Sequence, residues 1–316
     1  MKPLVIIAGM HRSGTSFLAR SLNLAGVYLG GLDALISHEW DYLFDNLRGH
    51  WENKTILNLA EKTLKNNQGS WDDIPANIEI DENLGQEIRN YLNELSNEPS
   101  LAYGFKDPRI ILCFESWKKY LPENFVIVGI FRDPLKVAES LKKRNGFDYK
   151  KSINLWKSYN IQLLQLLEKY GGFLINFDHP KEKIFSELKI IFNALNLLEP
   201  TNISDWYSEE LLHSDKSFTS DFHLDEETKK IYSDLIKRTE KNETFIFKKT
   251  KHTEKKLCAI ISSLNSHLYD QSKLARIQIN KIKDNLNEKN NKIFQIEKEF
   301  DERTKWAQSL DSEINQ

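Results

Sequence analysis

Between Leu4 and Leu18 the chain reads Leu4-Val5-Ile6-Ile7-Ala8-Gly9-Met10-His11-Arg12-Ser13-Gly14-Thr15-Ser16-Phe17-Leu18, and no other stretch restricts the fold as tightly. The aliphatic run Leu4 to Ile7 suits an inner strand of a parallel sheet, where both faces are buried. Gly9 and Gly14 let the backbone turn sharply and come close to a ligand. Ser13, Thr15 and Ser16 then set hydroxyls beside the free N–H groups of a helix N-terminus. A strand, a tight loop and a helix start in this order hold an anion through oriented donors and the helix dipole.

The pattern departs from the nucleotide-triphosphate loop G-x-x-x-x-G-K-[ST] at its decisive position. Thr15 stands where that loop has lysine, and the cation, Arg12, lies inside the loop. The loop is therefore built for phosphate or sulfate, but not as an ordinary ATPase loop. Elsewhere the chain is close to charge balance, with 44 basic and 46 acidic side chains in 316 residues. That balance gives no field for nucleic acid or an anionic membrane surface. The length allows one large domain and an appendage. Cys113 and Cys258 are too few for a disulfide framework or a zinc site and suit a reducing compartment. No run approaches the roughly 18–20 apolar residues of a membrane span. The first apolar run is shorter than a signal-peptide core, so it reads as a strand. A soluble, cytoplasmic protein with no resident metal is expected.

Apolar spacing predicts helices near 16–25, 52–66, 81–96, 108–120, 134–143, 151–170 and 181–196, with strands near 4–8, 101–106, 125–131 and 173–177. Strands alternating with helices give an α/β fold with a parallel sheet flanked by helices, whose ligands sit beyond the strand C-termini. The loops after residues 8 and 131 both lie there. Composition shifts near residue 250, which sets the expected division into a domain at 1–250 and a helical, coiled-coil segment at 251–316. In that segment Ile279, Leu286, Ile293, Phe300, Ala307 and Ile314 recur every seven residues. Their offset partners are Ile282, Lys289, Ile296, Arg303 and Leu310. This is a coiled-coil seam for self-association or for docking on an assembly; a single helix folded back on the main domain is the other reading.

Three segments carry chemistry together: Gly9 to Ser16; Gly104-Phe105-Lys106-Asp107-Pro108-Arg109; and Phe131-Arg132-Asp133-Pro134 running on to Ser140. In the third, a strand-end arginine and a serine about two helical turns later can grip one phosphate together. With these three motifs in this order, residues 1–200 resemble the sulfotransferases that use 3′-phosphoadenosine-5′-phosphosulfate (PAPS), nearest to bacterial sulfotransferases and tyrosylprotein sulfotransferases. The resemblance implies that Arg12, Ser13, Gly14, Thr15 and Ser16 bind the 5′-phosphosulfate. It implies that Lys106 reaches the transferring sulfuryl group and that Arg132 with Ser140 binds the 3′-phosphate. Two departures stand out. Pro108 occupies the place of the histidine in the cytosolic small-molecule enzymes, and their C-terminal glycine-lysine motif is absent.

Sulfuryl transfer needs an in-line acceptor hydroxyl, a base for its proton and positive charge at the leaving oxygen. Lys106 and Arg12 suit the leaving charge. The base is expected first in Arg48-Gly49-His50-Trp51-Glu52-Asn53, where the resemblance implies Glu52 and where His50 is second; Asp107, outside that segment, is third. Taken alone, Glu52 also reads as a first-turn helix residue, and Trp51, Trp71, Trp117 and Trp156 read as packing residues more readily than as sugar platforms. The resemblance to bacterial sulfotransferases, with the aromatic segments, implies an acceptor hydroxyl on a carbohydrate such as a polysaccharide. A P-loop small-molecule kinase and a non-catalytic coiled-coil scaffold are the alternatives.

Overall fold

In the computed structural model, the residues described are 2–31, 33–36, 50–200, 222–244, 286–300 and 302–305. The chain divides into two compact units, residues 1–263 and 264–316.

The first unit is built on a five-stranded sheet. Its strands are β1 (Leu4–Ala8), β2 (Val27–Tyr28), β3 (Ala102–Lys106), β4 (Phe125–Phe131) and β5 (Phe173–Asn176). Every pairing is parallel, and the order is β2-β3-β1-β4-β5. All five residues of β1 are buried, as an inner strand covered on both faces requires. Helices α1 (Thr15–Leu24), α2 (Lys54–Asn66), α3 (Glu82–Asn97) and α4 (Ile110–Trp117) lie in the first half of the chain. Then come α5 (Pro134–Asn145), α6 (Tyr149–Tyr170), α7 (Lys181–Ala194) and α8 (Glu226–Thr239). Leu4, Ile6 and Ala8 enter one apolar cluster with residues of α2, α3, α4, α6 and α8. Side chains alternate along a strand, so Val5 and Ile7 serve the opposite face, where α1 and α7 meet the sheet. Trp117 and Trp156 are fully buried and belong to this core.

The predicted strands and helices stand within a few residues of their expected positions, and the shifts have local causes. Asn53 accepts N–H bonds from Thr55 and Ile56, so α2 begins at Lys54 rather than 52. Asp148 caps α6 by accepting from Lys151 N–H, so that helix starts earlier than 151. Two elements had no sequence signal. β2 is two residues long, too short to show a period, and α8 buries only Thr228, Ile231 and Leu235. After α8, the Asn242 side chain bonds both the N–H and the C=O of Leu174 at 2.9 and 2.8 Å, occupying the outer edge of β5.

β1 leads through α1 to one edge of the sheet, while its neighbour β4 leads through α5 and α6 to the other. The crevice beyond their C-termini is the topological switch point at which such sheets place ligands. In the second unit, residues 286–300 and 302–305 are helical. Ile279, Ile282, Ala307, Leu310 and Ile314 of the seam, Cys258 and the expected boundary near 250 lie outside the described residues. No described helix is long and apolar enough to cross a membrane.

Candidate active site

The loop after β1 is shaped by close approach. A Cβ on Gly9 would fall 2.5 Å from the carbonyl oxygen of Ile130, and one on Gly14 would fall 2.5 Å from the Phe177 ring. Gly14 also holds φ 87° at the N-cap of α1, so no side chain caps that helix, and its first turn carries no acid. The N-terminal N–H groups and the positive dipole end are thereby offered to the loop. Ser13 is fully buried, and its Oγ has no hydrogen-bond partner among the described residues. A buried orphan hydroxyl in an uncapped, glycine-shaped cradle fits a phosphate- or sulfate-sized anion.

Two residues of the loop point different ways. His11 packs its ring 4.5 Å from Trp71 and 6.2 Å from Tyr159. Burial, with Arg109, Arg144, Lys106 and Arg12 adding to it, holds its imidazole well below the usual histidine range. His11 is thus a neutral wall of the loop. Arg12 sits in the left-handed region at φ 69° and donates from Nε to Ser140 Oγ at 2.7 Å. That bond ties the first segment to the third.

The second segment enters at the end of β3, where Lys106 lies opposite Ile7 of β1. Its ammonium donates to Glu52 Oε1 at 2.5 Å and to the His50 carbonyl at 3.1 Å. Ser16 Oγ donates to the same carbonyl at 3.2 Å. One peptide oxygen therefore joins the loop, Lys106 and the strap at residues 50–53. The backbone fixes that strap in place. Ile36 N–H donates to Glu52 O at 2.8 Å, and Lys54 N–H to Ala34 O at 2.9 Å. The Asn53 side chain bonds Leu29 O and receives Tyr91 OH. Trp51 is left-handed at φ 58°, with the Arg20 guanidinium 4.4 Å from its ring centre.

Burial would raise the Glu52 carboxyl, but the Lys106 ammonium outweighs it and holds the group below the ordinary carboxylate range. Glu52 is therefore ionised at neutral pH and able to take a proton. Asp107 plays another part. It is wholly buried, accepts the Arg109 N–H at 2.7 Å and faces the Arg109 guanidinium at 3.2 and 3.3 Å. Burial, aided by the Glu52 charge and opposed by Arg109, pushes its carboxyl up to about 6. Arg109 reaches on to Glu61 at 3.4 Å, so Asp107 anchors the turn after β3.

In the third segment Asp133 caps α5, accepting N–H bonds from Leu135 and Lys136. Trp156 Nε1 donates to the Arg132 carbonyl at 2.9 Å. The Arg132 guanidinium stands 5.6 Å from the Phe177 ring centre, with Nε 3.6 Å from Asp178 Oδ1. Lys136 is 3.0 Å from the same carboxylate, whose other oxygen accepts Asp133 N–H at 2.6 Å. The structure thus brings Arg12 to Ser140, and Lys106 to Glu52 and the His50 backbone, while Arg132 sits with Asp178. Thr15 and Ser16 open α1 behind Gly14. Arg48 and Gly49 lie outside the described residues. Sequence reasoning gave no role to Asp178 or to the Arg109 anchor. The signal for Asp178 was its position just past a strand C-terminus, in the same layer as the loops after residues 8 and 131.

No protein-family model and no curated protein matches this chain. Among solved structures, the sulfotransferase domain from the Synechococcus PCC 7002 olefin synthase aligns at 17% identity with a TM-score of 0.43, over 83% of this chain and 94% of that one. The alignment is too loose to add to what the sheet order and the loop geometry themselves show.

Proposed function

We propose that this chain is a PAPS-dependent sulfotransferase acting on an acceptor hydroxyl, most simply one on a carbohydrate. The observation that carries the reading is the contact of Lys106 with Glu52 beside an anion loop that has no Walker lysine. It sets a cation suited to a leaving phosphate next to an ionised carboxylate suited to an acceptor proton.

The roles follow from the donor groups. Ser13, Thr15 and Ser16, with the N-terminal N–H groups of α1, hold the 5′-phosphosulfate. Two of the three Lys106 ammonium hydrogens have partners among the described residues, which leaves a third for the bridging oxygen. Arg12, steadied by Ser140, faces the same charge from the loop. Glu52 takes the acceptor proton as the acceptor oxygen bonds to sulfur and the sulfur–bridging oxygen bond breaks. The proton ends on Glu52 and the electron pair on the 5′-phosphate of adenosine 3′,5′-bisphosphate. Positioning and fixed charge supply most of the rate, as in phosphoryl transfer. Arg132 is the candidate for the 3′-phosphate.

Calorimetric titration with adenosine 3′,5′-bisphosphate, beside ADP and ATP with Mg²⁺, tests the reading. Metal-independent binding selective for the bisphosphate supports it. Preference for ATP with Mg²⁺ moves the chain to the kinases, and no binding of any nucleotide leaves a scaffold.

A further inference from the structure

Large apolar side chains stand in the open along residues 286–300: Leu286 is 55% exposed, Ile293 53%, Phe294 64%, Ile296 65% and Phe300 69%, and all but Phe294 fall in two seven-residue rows. Leu286, Ile293 and Phe300 form one seven-residue row, and Lys289, Ile296 and Arg303 form the other. A helix with such a seam is only marginally stable alone in water and gains its stability by covering that face.

We propose that this face docks on a second copy of itself, in the antiparallel sense, with Ile293 opposite the partner's Ile296. The charges in the seam decide the direction. In a parallel pair each row meets itself, so Lys289 would face the partner's Lys289 and Arg303 the partner's Arg303 in two core layers. Complementary Lys292 and Glu297 at the flanks would not offset two like-charge layers. In the antiparallel pair each row meets the other. Lys289 then lies across the partner's Phe300, a cation on an aromatic face, and the Arg303 stem covers the partner's Leu286.

Flanking charges decide the register. With Ile293 opposite the partner's Ile296, Lys292 stands near the partner's Glu299, and the two-fold axis repeats the pair. A slip of seven residues one way sets Lys292 against the partner's Lys292; a slip the other way sets Glu299 against the partner's Glu299.

Cross-linking of the full chain tests direction and register together, in a Cys258→Ser background with the buried Cys113 retained. Three variants are compared under oxidation: Leu286→Cys, Arg303→Cys and the double. In the antiparallel pair, equal positions at 286 lie 17 residues apart along the axis, about 25 Å, so neither single variant links and the double does. A link in either single variant means a parallel pair and overturns the proposal. Failure of the double to link overturns the register. Light scattering on the unmodified chain is expected to give twice the 37.0 kDa chain mass; a monomer, or any other assembly, overturns the docking itself.

Discussion

Lys106 Nζ and Glu52 Oε1 stand 2.5 Å apart, their side chains only 3% and 10% exposed. A buried pair of this kind gives little net stability, because desolvation consumes most of the attraction, yet removing one partner strands the other. Lys106→Ala is therefore expected to destabilise the chain by about 3–5 kcal/mol, through the unpaired Glu52 charge. Adding Glu52→Gln should recover most of that loss without restoring transfer. Urea unfolding of the two single variants and the double gives the coupling. Independent, additive losses would show that the two groups do not act as a pair.

The same contact predicts the pH dependence of turnover. Glu52 is held below its ordinary value of 4.5, so as base it is ionised across neutrality and is lost only as pH falls through that depressed value. Its stability contribution runs the same way, present above the unfolded carboxyl's range and lost on the same acid side. At saturating substrates kcat should stay level in its acid limb down to about pH 5. A limb near 6.5 would hand the role to the His50 imidazole instead. Glu52→Gln should cut kcat by about 10²–10⁴ with the bisphosphate Kd unchanged.

Arg12 holds a left-handed backbone at φ 69°, a conformation that costs a non-glycine residue about 1–2 kcal/mol. Arg12→Gly is expected to leave thermal stability level or raised while transfer collapses, since the guanidinium that bonds Ser140 Oγ is gone. A fall in Tm would mean that the Arg12–Ser140 bond contributes more than the strain removes. Gly14→Ala should behave oppositely, losing Tm and bisphosphate binding together, because φ 87° and the Phe177 ring 2.5 Å from the new Cβ both oppose it.

How far the sequence discloses this site depends on the range of each interaction. Gly9, Gly14, Lys106 and Arg132 occupy strand ends and a helix start, and their neighbours along the chain announce those positions. The sheet and most helices are legible for the same reason: β1 and β4 are runs of apolar residues closed by glycine or proline turns. Contacts made across the fold leave no such mark. Arg12 and Ser140 are 128 positions apart and Lys106 and Glu52 are 54 apart, so their pairing appears only once parallel strands lie side by side. Asp107 illustrates the converse. By sequence it ranks third among the candidate bases, but the turn after β3 buries it against Arg109.

Asp178 is the counter-ion at the third segment, 3.6 Å from Arg132 Nε and 3.0 Å from Lys136 Nζ. An anion arriving at Arg132 competes with that carboxylate. Asp178→Asn keeps an oxygen to accept the Asp133 N–H and removes the charge, so it should tighten adenosine 3′,5′-bisphosphate several-fold. 5′-AMP should show no such gain if Arg132 reads the 3′-phosphate. Calorimetry on both nucleotides separates the cases; equal tightening of both would place Arg132 elsewhere in the site.

His179, which follows Asp178 in the chain, and Glu187 form a second pair, with Nδ1 and Oε1 3.0 Å apart. Burial pushes the Glu187 carboxyl up to about 7, with Lys183 opposing. Burial and Lys183 lower the His179 imidazole. Both shifts favour the uncharged forms, so below about pH 7 the pair holds a carboxylic acid beside a neutral ring, and the carboxyl ionises as pH rises through that value. A carboxyl raised on folding stabilises the chain fully below its unfolded value, and that stabilisation is lost as pH rises through the folded one. From Glu187 the native chain should therefore lose stability between pH 5 and 8. Glu187→Gln replaces the protonated carboxyl with an uncharged group of the same shape. Its Tm should match the native chain's near pH 5 and exceed it at pH 8. Differential scanning calorimetry across that range checks the prediction, and a parallel fall in both chains would show that Glu187 is ionised throughout.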